Sequence, residues 1–508
     1  MASTPEMAAP SDERTILGHP RGLFVLFFAE LWERFCYYGM RALLVFHLIG
    51  IFQKSSADAA VVYGAYTALV YALGVFGGYV ADRLLGYRRS IMLGGTIMAV
   101  GCFTLLSHDE TTFMIGLATI IVGNGLFKPN ISTLVGKLYK QGDPRRDSGF
   151  TIFYMGINLG AFLAPIFCAR ISRWMSELID PVTALTVPDY RYGFMLAGIG
   201  MVLGIVVFGF GGNTLKGKGE APPERKGIST LLAVFLGCVA TVPLMYALLR
   251  RKNEVGIALG ILGAGIALYL FFFALKSDKV TKERIFALLI LLLCNVAFWA
   301  SFEQAGNSLN IFAANHIQHL HIAAFDWTML PEDFQSVNAI LIVLLGPVFA
   351  LMWVKLDKVG ANPSIPAKFG LALIQVGLGF GLLLLGMQTA DQAGTIPWSW
   401  LAGLYLIHTT GELCLSPVGL SMVTKLAPEK MTGMVMGAWF VSIACANYGA
   451  GLFSKIAGSV EIADDAKGPT ALAGYVEAFT PILYMAVAVG VALFIASRAV
   501  NKLMHGVK

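Results

Sequence analysis

The 508-residue chain has few charged side chains. Asp, Glu, Lys and Arg make up 13% of it, whereas 56% of its residues are hydrophobic and its mean hydropathy is +0.70. A soluble globular protein has about 25% charged residues, so this sequence cannot cover a water-facing surface. The composition therefore excludes an ordinary soluble domain and indicates a polytopic membrane protein.

Several signatures of other protein classes are also missing. The seven cysteines are widely spaced inside apolar runs and form no C-x-x-C pair, so we predict neither disulfides nor a metal site. The net charge of +6 is not clustered into a basic face, so we expect no nucleic-acid partner. No G-x-S-x-G, Walker A or H-E-x-x-H string occurs, and we expect no enzyme. The histidines of "HIQHLH" (316–321) lie in a predicted external loop and lack metal-site spacing.

What the sequence has in abundance is long apolar runs. About 14 of them approach the ~20 residues that a helix needs to cross a bilayer, and they lack the alternation of a membrane barrel. They predict an all-α polytopic membrane protein. The runs are 22–50, 61–81, 90–107, 112–136, 148–169, 192–212, 228–249, 254–275, 285–314, 334–354, 366–387, 398–424, 432–454 and 475–497.

The loops between these runs predict orientation and domain organisation. Lys and Arg are concentrated in the loops on the side of the termini, so the positive-inside rule places both termini in the cytoplasm. Two charged linkers, "GNTLKGKGEAPPERKG" and "KSDKVTKER", flank a pair of helices without mid-span charges. The predicted division is a cytoplasmic segment 1–21, a six-helix bundle 22–212, a linker with an inserted helical hairpin 213–283, a second six-helix bundle 284–500 and a cytoplasmic tail 501–508. Two such bundles enclose a central cavity in many transporters.

Seven charged side chains lie well inside the apolar runs, away from their ends: Glu30, Glu33, Arg34, Arg41, Lys128, Glu303 and Glu412. Each costs about 2.5–3.5 kcal/mol at a helix centre, which favours a functional site. They fall on the first and fourth helices of each predicted bundle, and those of the first helix share one face. Four carboxylates face three cations, so one carboxylate can bind and release a proton. The alternative for Glu30 and Glu33 is an internal ion pair that only holds helices together.

The sign of these charges suggests a zwitterionic substrate. Arg34 and Lys128 suit a carboxylate, and Glu412 suits an amine. Asn158 and Asn338 lie amid apolar residues and either hydrogen-bond peptide amides or make ordinary interhelical bonds.

Longer strings resemble one family. "ELWERFCYY" (30–38) resembles the E-x-x-E-R-F-x-Y-Y signature of the proton-dependent oligopeptide transporters of the major facilitator superfamily. Further segments resemble that family in the same order, and they cover nearly the whole chain: "GGYVADRLLGYRRS" (77–90), "GNGLFKPNIS" (123–132), "FYMGINLGAFLAP" (153–165), "FWASFEQAGNSL" (298–309), "FQSVNAIL" (334–341) and "GELCLSPVGLSMV" (411–423). The inserted hairpin is typical of bacterial members.

The resemblance implies a major facilitator fold and proton-coupled import of di- and tripeptides across a bacterial inner membrane. It implies a monomer without a cofactor, with the proton as coupling ion. It assigns the peptide carboxylate to Arg34 and Lys128 and the amine to Glu412, and it lets Lys128 pair with Glu412 when the cavity is empty. The implied substrate-binding residues are Arg34, Tyr37, Tyr38, Tyr71, Lys128, Asn158, Trp299, Asn338, Glu412 and Trp439. The implied proton-coupling residues are Glu30, Glu33, Arg34, Arg41 and Glu303, the last paired with Arg41.

Two alternatives stay open. The first is a major facilitator carrier of another solute, an anion or a drug, although Glu412 and the complete signature argue against nitrate. The second is a peptide sensor without coupled flux. A long signalling tail would favour a sensor, whereas the C-terminal segment here, "RAVNKLMHGVK", is short. Mammalian relatives carry a functional histidine on the second helix, where this chain has none. His47, near the end of the first helix, is expected at the membrane interface.

Overall fold

The computed structural model describes residues 15–140, 143, 145–179, 188–225, 227–428, 431–459 and 467–507. Its helices are α1 Arg21–Gly50, α2 Ser56–Val80, α3 Gly86–Thr104, α4 Glu110–Lys137, α5 Arg145–Ile179, α6 Arg191–Gly211, α7 Ile228–Arg250, α8 Lys252–Leu275, α9 Lys279–Phe302, α10 Ser308–His316, α11 Phe334–Lys358, α12 Ile365–Met387, α13 Trp398–Leu426, α14 Thr432–Ala457 and α15 Ala473–Leu503. Two short antiparallel hairpins pair β1 Thr15–Ile16 with β2 His19–Pro20, and β3 His321–Ile322 with β4 Trp327–Thr328.

The helical, membrane-spanning architecture is confirmed. Eleven segments of the described chain are long and apolar enough to cross a membrane. One of these segments, Ser56–Thr104, contains both α2 and α3, which are joined by a π-helical turn at Ala81–Leu85. The number of about 14 spans therefore stays a prediction.

Helix starts follow ordinary capping chemistry. The side chains of Ser55, Asp109 and Asp278 each accept a hydrogen bond from the backbone N–H three residues later, at the starts of α2, α4 and α9. Each cap satisfies one of the four N–H groups that a helix leaves unpaired at its start.

The ninth apolar run is not one helix. The predicted run 285–314 is broken after Phe302 by the 3-10 turn Glu303–Gly306, and α10 follows it. A Cβ at Gly306 would overlap the Tyr63 hydroxyl and the Arg41 guanidinium. Glycine therefore permits the close approach of α1 and α2 to this turn.

Two hydrophobic clusters form the interior. The first draws mostly on α1–α7 and the start of α8, and the second on the end of α8 and on α9–α15. The N-terminal and C-terminal helices meet where α2 packs on α14 and α5 packs on α11. The predicted domain boundaries themselves stay predictions.

The inserted helices α7 and α8 are peripheral. Only 11% and 17% of their most apolar stretches are buried against the rest of the protein, compared with 72% for α4. An apolar helix that buries so little of itself in protein presents its surface to lipid.

Candidate functional site

Helix α1 carries a buried polar stripe near its middle. Glu30, Glu33 and Arg34 are at most 5% exposed. The Arg34 guanidinium donates from Nε and Nη2 to the two carboxylate oxygens of Glu33, both at 2.5 Å. Its Nε also lies 3.7 Å from Oε1 of Glu30, one helical turn earlier. The stripe thus holds two carboxylates around one cation.

Two side chains of helix α4 contact the polar stripe of α1. Lys128 donates from Nζ to Oε1 of Glu30, and Asn124 donates from Nδ2 to Oε1 of Glu33 at 2.9 Å. Asn124 and Lys128 are four residues apart, so they share one helix face. The Lys128 side chain is 31% exposed, whereas that of Arg34 is 6% exposed. Lys128 is therefore the more accessible cation of the pair.

A second polar group joins α1 to the turn that follows α9. Arg41 donates from Nη2 to Oε2 of Glu303 and from Nε to the hydroxyl of Tyr63. Glu303 is placed here because α9 ends one residue earlier. The Arg41–Glu303 pair that the resemblance implied is thus present, and it links the N-terminal and C-terminal helices.

Glu412 on α13 has a different environment. Its Oε2 accepts a hydrogen bond from Asn338 Nδ2 at 2.9 Å, and the same nitrogen lies 3.1 Å from Thr409 Oγ1. Across the described part of the chain, no Lys, Arg or His lies within ion-pairing distance of Glu412. The expected Lys128–Glu412 pair is wrong for this structure, because Lys128 contacts Glu30 instead. Among the four carboxylates, Glu412 is the one that has no cation beside it in the described residues.

The two asparagines differ. Asn338 makes the interhelical contacts just described, from α11 to α13. Asn158 donates from Nδ2 to the backbone carbonyl of Tyr154 at 2.9 Å, one turn earlier on its own helix. In the described part of the chain it makes no interhelical hydrogen bond, and its contact with a peptide amide stays a prediction.

Aromatic rings line the space between these charges. Arg34 lies 4.8 Å from the ring centroid of Tyr37, and Arg41 lies 5.7 Å from that of Tyr38, within the range of cation–π attraction. Tyr38 is also within electrostatic range of Glu303 and Glu412. Tyr38 therefore lies near charges of both sets.

Three further aromatic residues were predicted to line the pocket. Trp299 packs edge-to-face on Phe302 at 5.3 Å, and Trp439 on α14 is 6% exposed and packs against Gly419 of α13. Tyr71 on α2 is partly buried against the first hydrophobic cluster. The Tyr37 hydroxyl and Trp299 Nε1 are buried and have no hydrogen-bond partner among the residues that the structure describes.

Sequence reasoning missed three contact residues. Asn124 precedes Lys128 by four positions and Thr409 precedes Glu412 by three, so helical periodicity could have placed both beside a known charge. Tyr63, which contacts Arg41, has no such signal because the two lie on different helices.

The interfacial depth predicted for His47 stays a prediction, but its side chain is enclosed by protein. Its side chain is fully buried, and its ring stacks on Phe113 at 4.8 Å with Phe52 and Phe194 alongside. The aromatic pocket holds the ring in the protein interior although neither nitrogen has a partner among the described residues.

The histidines at 316–321 contact their own loop and its neighbours. His316 lies 3.0 Å from the carbonyl of Gly394, and His321 lies 2.9 Å from the hydroxyl of Thr328. Within the described ranges, no group of three His, Cys, Asp or Glu side chains is arranged to hold a metal ion.

Two ion pairs, which we call the outer ion pairs, join the end of α5 to the turn Pro331–Asp333. Arg170 contacts both oxygens of Asp333 at 2.8 and 2.9 Å, and Arg173 contacts both oxygens of Glu332 at 3.0 and 3.1 Å. The Tyr190 hydroxyl donates to Glu332 at 3.2 Å. These contacts hold the N-terminal and C-terminal helices together at the membrane face opposite the termini.

A sequence model of the POT family matches residues 88–468, three quarters of the chain. The chain belongs to the POT family. The resemblance seen in the sequence motifs is thereby confirmed, and this POT protein is a multi-pass membrane protein whose relatives are transporters rather than enzymes.

Individual relatives agree over most of their length. The uncharacterized transporter YclF of Bacillus subtilis (strain 168) is 38% identical over 464 residues, which cover 87% of this chain and 90% of the relative. Dipeptide and tripeptide permease A of Escherichia coli (strain K12) is 32% identical over 454 residues, 89% of this chain and 86% of the relative. A crystal structure of peptide transporter POT in complex with sulfate is 36% identical, covers 97% of this chain and 98% of that one, and superposes with a TM-score of 0.80.

Proposed function

We propose that this POT protein is a proton-coupled symporter that imports di- and tripeptides by alternating access. Relatives over nearly the whole chain are peptide transporters by name, and the site offers both signs of charge to a zwitterion. In this proposal Arg34 and Lys128 hold the peptide carboxylate, and Glu412 holds the amine. The protein acts as a monomer in a bacterial inner membrane with both termini in the cytoplasm.

The environment of Glu412 is the observation that carries the peptide assignment. A buried carboxylate that only a neutral amide contacts is costly, and a cation beside it would offset that cost. The ammonium of a peptide supplies such a cation. The opposite end of the peptide then faces α1 and α4, where Lys128 is accessible and Arg34 lies behind it.

Binding of a peptide carboxylate competes with contacts already present. Lys128 pairs with Glu30, and Arg34 pairs with Glu33. An incoming carboxylate that takes one cation leaves a glutamate uncompensated, and a proton would restore the balance. This exchange gives Glu30, Glu33 and Arg34 their proposed part in coupling.

Glu303 is the proposed proton site that controls access. Protonation would weaken its pair with Arg41, which joins the two sets of helices, and would favour loading from outside. The outer ion pairs would re-form after loading, and opening towards the cytoplasm would release peptide and proton. Alternation of this kind around a fixed site is common in secondary transporters.

The decisive experiment is uptake of labelled dialanine into liposomes that contain the purified protein, with an acidic exterior and a neutral interior. We expect accumulation that collapses with a proton ionophore and is blocked by unlabelled tripeptide. Counterflow exchange without accumulation would leave a peptide site but refute coupling. If neither uptake nor exchange occurred, another solute or a sensing role would become the better proposal.

A matched pair of variants tests Glu303. We expect Glu303→Gln to lose proton-driven accumulation and to keep counterflow exchange, because glutamine resembles the protonated side chain. Glu110→Gln is the control, since Glu110 lies at the start of α4, is one third exposed and contacts Lys54 away from the cavity. Full proton-driven uptake by Glu303→Gln would remove Glu303 from the mechanism.

A further inference from the structure

A groove runs between α3 and the first hairpin helix, α7. Its mid-membrane part has a volume of about 460 Å³ and is lined by apolar side chains, among them Ile97 and Val100 on α3 and Phe235, Val239 and Val242 on α7. Val100 is 56% exposed and Val239 is 50% exposed, so the groove is open at the side that faces the bilayer.

The groove continues towards the membrane face that carries the termini. There it leads into a second cavity of about 470 Å³, and Leu93 and Thr96 line both. The second cavity contains Arg88 and Arg89 at the start of α3, together with Glu220 of the linker. We call the whole path the α3–α7 groove. It has an apolar length and a basic end.

The charges at the basic end are not balanced. Arg88 pairs with Glu220 at 2.5 Å, and Arg89, the other cation of the cavity, has no carboxylate within ion-pairing distance among the described residues. Nη1 of Arg89 is shielded from solvent and has no hydrogen-bond partner in the described part of the chain. A buried guanidinium donor without an acceptor is unfavourable, and an anionic oxygen beside it would satisfy both the charge and the donor.

We propose that the α3–α7 groove binds an anionic phospholipid, with its phosphate at Arg89 and one acyl chain along the apolar part. Basic pockets between membrane helices on the cytoplasmic side bind anionic headgroups, and the loop charges predict that this end is cytoplasmic. A free phosphate ion would fill only the basic end. The continuous apolar length favours the lipid.

The lipid gives the hairpin a structural role. α7 buries little of its surface against protein, and a lipid lying in the groove contacts α7 on one side and α3 on the other. The proposal depends on the membrane location of the chain, not on peptide transport, so the two can fail separately.

The test is native mass spectrometry of the full chain in detergent with equal amounts of phosphatidylglycerol and phosphatidylcholine that carry the same acyl chains. We expect a several-fold excess of the phosphatidylglycerol adduct. Arg89→Gln should reduce that preference about fivefold, the effect of one cation near a lipid headgroup. Arg89→Lys should keep most of it. The control is Lys276→Gln. Lys276 is exposed and follows the C-terminal end of α8, on the membrane face that carries the basic end of the groove. This substitution should leave the preference unchanged.

Val239→Trp tests the apolar part. The larger ring should displace the acyl chain and lower phosphatidylglycerol retention although Arg89 is intact. Equal retention of both lipids by the unmodified protein would overturn the proposal without any variant. An equal change in lipid preference for Arg89→Gln and Lys276→Gln would also overturn it. Retention that inorganic phosphate abolishes and Val239→Trp leaves intact would indicate a free-anion site instead.

Discussion

In one of the outer ion pairs the two partners differ in burial, so we expect their substitutions to differ in effect on conformation. The Glu332 side chain is 1% exposed, whereas that of its partner Arg173 is 30% exposed. Arg173→Gln leaves a buried carboxylate with the Tyr190 hydroxyl at 3.2 Å as its remaining described partner. Glu332→Gln instead leaves an arginine that water reaches. The two substitutions remove the same contact and should differ in effect.

Removing one partner of a buried pair costs about 3–5 kcal/mol, and an exposed pair contributes about 0.2–1 kcal/mol. Because Tyr190 still donates to Glu332, we expect Arg173→Gln to destabilise the outward-closed state by about 2–3 kcal/mol. That value raises the ratio of outward-open to outward-closed protein about 30- to 150-fold. For Glu332→Gln, about 1 kcal/mol gives roughly a fivefold rise.

The assay is labelling of Ser336→Cys with a membrane-impermeant maleimide added from outside. Ser336 lies just after the outer ion pairs, is 3% exposed, and donates from Oγ to the carbonyl of Phe162 across α5 and α11 at 2.7 Å. Six of the seven native cysteines are buried and Cys445 is partly buried, so background labelling should be low. Opening of the outer face should expose the new thiol.

Ser336→Cys alone is the reference, and Arg250→Gln is the charge control, because Arg250 lies at the same membrane face and its side chain is 53% exposed. We expect Arg173→Gln to label fastest, Glu332→Gln to label moderately faster than the reference, and Arg250→Gln to match it. Equal labelling rates for Arg173→Gln and Glu332→Gln, or faster labelling of Glu332→Gln, would refute the reasoning.

Three further predictions concern buried polar groups. Glu412→Gln should lower dipeptide uptake at least tenfold, because a neutral amide cannot form an ion pair with the ammonium group of the peptide; uptake equal to that of Glu110→Gln would contradict this. Lys128→Gln should lower the free energy of unfolding by about 3 kcal/mol, because it leaves Glu30 buried beside Arg34 alone; thermal unfolding measures it, and an unchanged midpoint would refute it. His47→Leu should raise the unfolding midpoint, because both ring nitrogens are buried without described partners; a lower midpoint would show that the ring packing outweighs the unpaired nitrogens.

Periodicity and charge were enough to select many residues of the candidate site. Charged residues in apolar runs are rare and costly, so Glu30, Arg34, Lys128, Glu303 and Glu412 could be selected without coordinates. Their helical spacing placed Glu30 and Arg34 on one face of α1, where the two side chains lie one turn apart and 3.7 Å from each other. The apolar runs predicted most helix bounds to within about six residues, but α5 continues ten residues beyond its run, to Ile179, and the ninth run is broken at 303–306.

The partners across helices could not be predicted in the same way. Lys128 had two acidic partners available in the sequence, Glu30 and Glu412, and only the packing of α4 on α1 decides for Glu30. The close approach of Tyr63 to Arg41 depends on Gly306, far away in sequence. The burial of His47 depends on Phe113 and Phe194, which come from two other helices.

The sequence by itself determined the membrane class, the positions of most helices, the family and the residues whose charge demands an explanation. These follow from local hydropathy, helical periodicity and motif spacing, which act over a few turns of one helix. Only the tertiary structure decided that Glu412 has no cation beside it among the described residues, that the outer ion pairs join α5 to the turn before α11, and that a groove with a basic end lies beside the hairpin. Each of these depends on side chains from separate helices, and their distances are set by packing rather than by sequence separation.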